Sequence, residues 1–312
     1  MVLEDFPVED ISDHLEKPDA IIWVDLCAPD AEDLTLVAEE LGLHRLAVAD
    51  ATDLRQRPKL DHYASHQFLN MYAVDLDHTS GELRLSELSA FITTNALITV
   101  RKDKAFDIES VVARWDDQPD LAEFGVGFLL YGLIDHVVDG HFTAVQDLDD
   151  EIEQLEDLLF DQRTGDEELQ RRCFALRKSL VTLRRVVLPM REVVNGLMRR
   201  DLHVVTDDMA PYYQDVYDHV LRATEWTESL RDLVTTILET NITLQGNRLN
   251  VITKKVTSWA AIIAVPTAIT GWYGQNVPYP GFASTSGLIT SFLLIVTISS
   301  GLYLTFKRND WL

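Results

Sequence analysis

An uncharged stretch near the C-terminus constrains this chain more than any other feature. No Asp, Glu, Lys or Arg occurs between Val256 and Phe306. The stretch contains two apolar segments, Val256–Tyr273 and Leu288–Phe306, and each is long enough to cross a hydrocarbon core of roughly 30 Å as a helix. The segment between them holds two prolines and three glycines, which interrupt a helix. The pattern therefore predicts a membrane hairpin rather than a buried helical pair in a soluble core.

The charges that flank the two apolar segments predict the orientation of the hairpin. Lys254 and Lys255 precede the first segment, Lys307 and Arg308 follow the second, and the connecting loop has no positive charge. Because positively charged flanks stay in the cytoplasm, both termini are expected there and the loop outside. The N-terminal sequence is acidic and lacks the apolar core of a signal peptide. We therefore expect a multi-pass protein of the plasma or inner membrane, with its large N-terminal part in the cytoplasm.

The part of the chain before the hairpin is strongly acidic. Of 27 basic and 51 acidic residues, four basic and one acidic lie at or after Lys254, which leaves 23 and 50 before it and a net charge of −27. Such a surface repels phosphates, so we expect no nucleic-acid partner. Two cysteines, Cys27 and Cys173, are too few for a disulfide scaffold. The nucleotide-binding motifs G-x-x-x-x-G-K-[ST] and G-x-G-x-x-G are absent from the sequence, so we predict neither enzyme activity nor an organic cofactor.

The first apolar segment and the residues before it carry small and polar side chains along one helix face. Steps of three and four residues define this small-polar stripe as Asn250, Thr253, Thr257, Ala260, Ala264, Thr267 and Gly271. Helix–helix packing and the lining of a water-filled pore both favour such a stripe, and spacing alone does not separate them. Since two spans per chain cannot enclose a conduit, a pore requires an oligomer.

Residues 1–207 alternate short apolar segments with amphipathic helices, which is typical of an α/β domain with a mixed sheet. A helix capped by Asp30 is expected to end at Gly42. Two long antiparallel helices are expected at His141–Phe160 and from about Glu167 to Met198. The predicted strands are Ala20–Leu26, His66–Asp77, Leu83–Ile92 and Ala96–Val100, with a hairpin between the last two.

A third long helix is predicted to connect the acidic part to the hairpin. It begins at Asp208, has Pro211 in its first turn, and meets no other proline before Pro266. This helix is therefore predicted to run unbroken into the first span as a stalk. The predicted boundaries are 208–255 for the stalk, 256–274 for the first span, 275–287 for an external loop, 288–306 for the second span and 307–312 for a cytoplasmic tail.

Several segments together resemble the CorA family of magnesium and divalent-cation channels. The first span ends in TGWYGQN, where the family carries Tyr-Gly-Met-Asn, so Gln275 stands in place of the methionine. Further similar segments are, in order, RQRPKLD (Arg55–Asp61), LYGLIDHVVDGHF (Leu130–Phe142), PYYQDVYDHV (Pro211–Val220) and the terminal KRNDWL. The similarity therefore extends over nearly the whole chain.

The resemblance implies a homopentameric channel. The first span of each copy would line the pore, the second would surround it, and the cytoplasmic domains would form a funnel around five stalks. It implies that Gly274, Gln275 and Asn276 form the pore mouth, where neutral carboxamides bind the waters of hydrated Mg²⁺. The turn at Gly274 is expected to need a backbone conformation that glycine adopts easily. The small-polar stripe, together with Val256, would then line the pore.

The resemblance also implies regulation by cytoplasmic Mg²⁺. It places Asp215 at a regulatory metal site between subunits, with Asp75 or Asp77 of a neighbouring copy as its partner; the residues alone would favour an ordinary solvated carboxylate. The implied function is passive uptake of Mg²⁺, with Co²⁺ or Ni²⁺ as further cations, by a protein whose partners are membrane lipid, divalent cations and its own copies. Two alternatives stay open, a zinc-transporting relative and a non-conducting membrane-tethered scaffold or sensor.

Overall fold

The computed structural model of the chain describes residues 21–53, 56–77, 81–160, 166–199, 202, 204–275, 277–282 and 284–312. The chain divides into two units, Met1–Ile237 and Leu238–Leu312. Two residues singled out by the sequence, Asn276 at the predicted pore mouth and Arg55 in the RQRPKLD segment, lie outside the described residues.

A five-stranded mixed sheet organises the first unit. Its strand order is β1-β5-β4-β3-β2, with β1 parallel to β5 and the other neighbouring pairs antiparallel. The strands are β1 (Ile22–Cys27), β2 (Lys59–His62), β3 (Gln67–Asp77), β4 (Glu82–Ile92) and β5 (Ala96–Arg101). The prediction of an α/β domain with a mixed sheet, including the hairpin of β4 and β5, is confirmed.

The helices in the described part of the chain include the predicted ones in order, together with two short α-helices that the sequence analysis does not predict. They are α1 (Ala31–Leu41), α2 (Arg45–Thr52), α3 (Ile108–Asp116), α4 (Val126–Phe160), α5 (Asp166–Leu197), α6 (Ala210–Tyr273) and α7 (Thr285–Arg308). Asp30 forms a capping box at the start of α1, and Gly42 ends that helix with a φ of 62°, as predicted. The predicted His141–Phe160 helix is the second half of α4.

Two hydrophobic cores lie on opposite faces of the sheet. Successive side chains of a strand alternate between faces, so neighbours such as Phe68 and Leu69 belong to different cores. Phe68 packs with residues of α1 and α2, whereas Leu69 packs with residues of α3, α4, α5 and the beginning of α6. The second core therefore joins the start of the predicted stalk helix to the sheet.

Helix α6 is a continuous helix of 64 residues. Its first turns are anchored by Tyr213, which is fully buried and donates a hydrogen bond from its hydroxyl to the carbonyl of Gly127 at 2.9 Å. Pro211 lies in the first turn and Pro266 lies inside the helix without ending it. The prediction of one unbroken helix from the acidic part into the first apolar segment is confirmed.

The second unit contains the end of α6 and the whole of α7. Within the described residues, α7 is the one helix whose length and composition suffice to cross a membrane, and it is almost entirely exposed. The first predicted span forms the last part of α6, where its apolar residues continue a polar helix.

A buried histidine links α4 to the sheet. The imidazole of His141 is fully buried, and its Nε2 donates to the carbonyl of Tyr72 in β3 at 2.7 Å. Burial lowers the pKa of His141 to about 4, against the opposing effect of the hydrogen bond. Because the unfolded chain titrates near pH 6.5, it binds more protons than the folded chain between pH 6.5 and about 4. The contribution of His141 to stability is complete above pH 6.5 and decreases as the pH falls through this window.

We expect His141→Gln to make the protein less sensitive to acid, because glutamine can still donate to Tyr72 but does not titrate. Between pH 7 and pH 5 the free energy of unfolding should fall by about 2 kcal/mol less in the variant than in the wild type. Urea titrations of the full-length protein at both pH values measure this difference. His62→Gln, at an exposed position, is the control. An unaltered pH dependence in His141→Gln would contradict the prediction.

Candidate ion pathway and cytoplasmic cation site

The small-polar stripe lies on an exposed face of α6. All seven of its residues are exposed, as is Val256. The covered residues of this segment lie on a different face of the helix: Ser258 is buried, and Ala261, Ile262, Val265, Pro266, Ile269 and Tyr273 are half-buried. A groove of about 540 Å³ separates that part of α6 from α7, and Thr267 is the stripe residue that borders it. The contact within the hairpin therefore uses the face that carries Ser258, Ile262 and Val265 and leaves most of the stripe uncovered.

Threonine hydroxyls in this segment are hydrogen-bonded to their own helix. Thr267 donates from its hydroxyl to the carbonyl of Ile263 at 3.2 Å, and Thr270 donates to that of Pro266 at 2.8 Å. Each hydroxyl proton is used inside the helix, so the oxygen faces its surroundings as an acceptor. Such oxygens can accept hydrogen bonds from the water molecules that surround a cation.

The predicted pore mouth begins directly after α6. The amide of Gly274 donates to the carbonyl of Thr270 at 2.8 Å, and that of Gln275 donates to the carbonyl of Trp272 at 3.3 Å. Both Gly274 and Gln275 are exposed. The ring of Tyr279 packs edge-on against Tyr273 with centroids 4.9 Å apart, which ties the following loop to the helix end.

Glycine is needed at position 274 for a different reason from the one the sequence suggested. Gly274 does not have a positive φ, so the expectation of a conformation favoured by glycine is wrong. A Cβ atom at this position would lie 3.0 Å from the carbonyl oxygen of Thr270. A side chain here would have to displace this carbonyl, one turn back on the same helix, by a few tenths of an ångström, which favours glycine.

A group of metal-ligand side chains lies where α4 meets the start of α6. One ligand atom each from Asp135, Asp139 and His219 lies within 4.8 Å of the other two. His219 also brings in Asp215, whose Oδ2 is 3.9 Å from its Nε2. We call Asp135, Asp139, Asp215 and His219 the cytoplasmic cluster, after the side of the membrane on which the sequence predicts them. Sequence reasoning found Asp215 but missed the rest, although the spacing of four in both Asp135/Asp139 and Asp215/His219 was a usable signal.

Arg114 from α3 neutralises part of the cytoplasmic cluster. It pairs with both Asp135 and Asp139, and its Nη2 is 2.7 Å from Oδ2 of Asp139. Burial and the neighbouring carboxylate of Asp139 raise the pKa of Asp135, while Arg114 opposes that shift. Asp215 is the most exposed carboxylate of the cluster, with 64% of its side chain accessible. A divalent cation would therefore meet least competition from Arg114 at the Asp215 end.

The two proposed partners of Asp215 differ in their surroundings. Asp77 is half-buried at the end of β3 and forms an ion pair with Arg84 of β4. Asp75 is exposed and has no ion pair or hydrogen bond from its side chain to any residue that the structure describes. Of the two, Asp75 is the carboxylate that can accept a cation without losing an existing partner.

Comparisons with known proteins agree with these features. Residues 18–308 match the sequence profile of a family described as CorA-like Mg²⁺ transporter protein. The chain is 28% identical to the cobalt/magnesium transport protein CorA of Thermotoga maritima, over 93% of this chain and 83% of that protein. It is 23% identical to the zinc transport protein ZntB of Yersinia enterocolitica, over 82% of this chain and 77% of that protein.

A solved structure supports the same fold. The complete structure of the CorA magnesium transporter from Methanocaldococcus jannaschii is 24% identical in sequence and has a TM-score of 0.78. The match covers 100% of this chain and 94% of that one. At this level of identity the likeness establishes the architecture of the chain.

Proposed function

The chain belongs to the CorA family of Mg²⁺ transporter proteins, and from this membership we propose that it is a passive channel for Mg²⁺ that also admits Co²⁺ or Ni²⁺. The observation that carries the proposal is the uncovered small-polar stripe on a helix that is continuous with the cytoplasmic part of the chain. Five copies, each with α6 towards a common axis and α7 outside it, would turn that stripe into the wall of a conduit.

Neutral oxygen atoms would bind the cation along this conduit. Mg²⁺ gives up its water molecules reluctantly, so a wall that accepts hydrogen bonds from those waters suits it better than a ring of charges. Asn276 and Gln275 would supply carboxamide oxygens at the external mouth, and Thr257 and Thr267 would supply hydroxyl oxygens further in. The alanines and Gly271 of the stripe would leave room for the hydrated ion.

The replacement of methionine by Gln275 leaves Zn²⁺ as a competing substrate. A second carboxamide beside Asn276 alters the polarity of the mouth, and the similarity to a zinc transport protein makes Zn²⁺ the alternative cation. Influx of Mg²⁺, Co²⁺, Ni²⁺ and Zn²⁺ into proteoliposomes, with and without a proton gradient, decides between them. Mg²⁺ influx without a proton gradient is expected. Absence of influx for all four cations would instead favour a non-conducting scaffold or sensor.

Substitutions at the pore mouth should stop influx without preventing assembly. We expect Asn276→Ala to abolish Mg²⁺ influx because the carboxamide that meets the hydrated ion is lost. Gly274→Ala should do the same, because its Cβ would be forced against the carbonyl of Thr270. Gly301→Ala in α7 is the matched control, since a Cβ there meets nothing within 4 Å. Normal influx through Asn276→Ala, with the oligomer intact by size-exclusion chromatography, would show that these residues do not form the pore mouth.

Cysteine labelling should distinguish a water-filled pathway from simple helix packing. In a Cys27→Ser background, cysteines at Thr257 and Ala264 should react rapidly with a small water-soluble thiol reagent in the conducting state. Cysteines at Ile262 and Ile269 should react slowly because those positions are half-buried on a different face of α6. Equal reaction rates on both faces would contradict a pore lined by the small-polar stripe.

The cytoplasmic cluster would give the channel a means of sensing Mg²⁺. Each acidic part carries a net charge of −27 before Lys254, so five copies repel one another at low ionic strength. A divalent cation held between Asp215 of one copy and Asp75 of the next would turn this repulsion into a bridge. High cytoplasmic Mg²⁺ would then stabilise the closed ring, and low Mg²⁺ would release it, since the ion binds the two states with different affinity.

We expect Asp215→Ala to weaken inhibition by cytoplasmic Mg²⁺, shifting the half-inhibiting concentration upwards on the order of tenfold, or about 1.4 kcal/mol of binding free energy. Protection of the cytoplasmic part from protease at high Mg²⁺ should weaken in parallel. Asp218→Ala removes the same charge from the same helix at an exposed position and serves as the control. Unchanged inhibition and unchanged protection in Asp215→Ala would exclude this residue from the gate.

A further inference from the structure

Four basic side chains flank the two apolar segments of the hairpin at the end away from its connecting loop. The groove between the two helices is bordered by Ile262 to Thr267 of α6 and by Ile295 to Ser300 of α7. Lys254 lies eight residues before Ile262 in α6, and Arg308 lies eight residues after Ser300 in α7. Because the two helices border the same groove, Lys254 and Arg308 lie at the same level of the hairpin. We call Lys254, Lys255, Lys307 and Arg308 the basic collar.

The basic collar is exposed and uncompensated. All four side chains are exposed, and none forms an ion pair with any residue in the described ranges. The nearest acidic residue in sequence is Asp310, just after α7, and its charge leaves the region with a net charge of +3. The collar borders an apolar segment on each helix, so it lies where a hydrocarbon core would meet water.

The C-terminal residues fold back onto the collar in a defined motif. Asp310 has a φ of 54°, and the amide of Trp311 donates to the carbonyl of Phe306 at 2.9 Å. This six-to-one hydrogen bond is that of a Schellman motif, and the rings of Phe306 and Trp311 make its hydrophobic contact, stacked at 5.7 Å with 6° between planes. Trp311 is thereby held beside Lys307 and Arg308 instead of extending away from them.

An aromatic side chain also positions one of the collar cations. The Nζ atom of Lys307 lies over the ring of Tyr303 at 5.9 Å from its centroid. Tyr303 and Trp311 are both partly exposed. Tyrosine and tryptophan beside lysine and arginine form the combination that lies at the level of lipid headgroups, where the rings meet the glycerol region and the cations meet phosphate.

We propose that the basic collar, with Trp311, binds the headgroup phosphates of anionic phospholipids in the cytoplasmic leaflet. The inference rests on the membrane orientation in the proposed function but not on ion conduction. Charge complementarity carries it: four exposed cations at the expected interface have no acidic partner among the described residues. The remainder of the chain is so acidic that an anionic leaflet would otherwise repel it. The fixed aromatic pair favours a lipid over a free phosphate ion, which offers no apolar surface.

The test is lipid binding by the full-length protein. We measure retention of phosphatidylglycerol and of phosphatidylcholine by native mass spectrometry in detergent and, separately, partitioning of both lipids into nanodiscs around the protein. Wild-type protein should enrich phosphatidylglycerol, and the enrichment should fall as salt is raised. Each Lys→Gln or Arg→Gln change in the collar should weaken phosphatidylglycerol binding by roughly fivefold. Lys307→Arg should retain it.

A matched variant separates the collar from the total charge of the protein. The control changes four exposed basic residues of the first unit to glutamine: Lys104, Arg171, Arg177 and Lys178. It removes as much charge as a variant in which all four residues of the basic collar are changed to glutamine. That control should keep the lipid preference of the wild type. A control that loses the preference equally, or inorganic phosphate that displaces the lipid at millimolar concentration, would overturn the proposal.

Cation influx into proteoliposomes, the assay of the proposed function, is measured independently of lipid binding. Phosphatidylglycerol enrichment without any influx would leave the collar proposal standing while the channel function fails. Influx without a preference for phosphatidylglycerol would support the channel function and would overturn the collar proposal alone.

Discussion

An α-helix pairs its backbone N–H and C=O groups with each other, and the rest of this molecule depends on that property. Helix α6 passes from residues that pack against a sheet to residues without charge, and neither environment needs to supply its backbone partners. Only the side chains change, from the buried Tyr213 to the exposed, uncharged residues of the small-polar stripe. One uninterrupted element can therefore belong both to the core on the sheet and to the apolar hairpin, as the two units of the chain require.

Local rules predicted the elements whose signals are local. The capping residues Asp30 and Gly42 define α1, and apolar segments of strand length define β3 and β4. Helices α2 and α3 and strand β2 escaped prediction because they are short, with eight, nine and four residues respectively. Their form depends on packing against the sheet, as with Ala47 and Ala51, and a periodic pattern has no room to develop in so few residues.

The candidate site was only partly predictable for a related reason. The small-polar stripe is a property of one helix, so its spacing could be found directly in the sequence. The cytoplasmic cluster joins Asp135 and Asp139 of one helix to Asp215 and His219 of another, and Arg114 from a third element compensates it. Only tertiary packing brings these groups together. The role of Gly274 likewise depends on the distance to Thr270, which no sequence pattern reveals.

The absence of acidic and basic residues from Val256 to Phe306 has a chemical consequence beyond membrane insertion. That stretch also contains no histidine. A conduit built from it would keep the same charge from mildly acidic to mildly alkaline conditions. Proton concentration could then act on ion passage only through residues outside that stretch. Permeation and its control would thus respond to different features of the solution, the first to the hydrated cation alone and the second also to acidity.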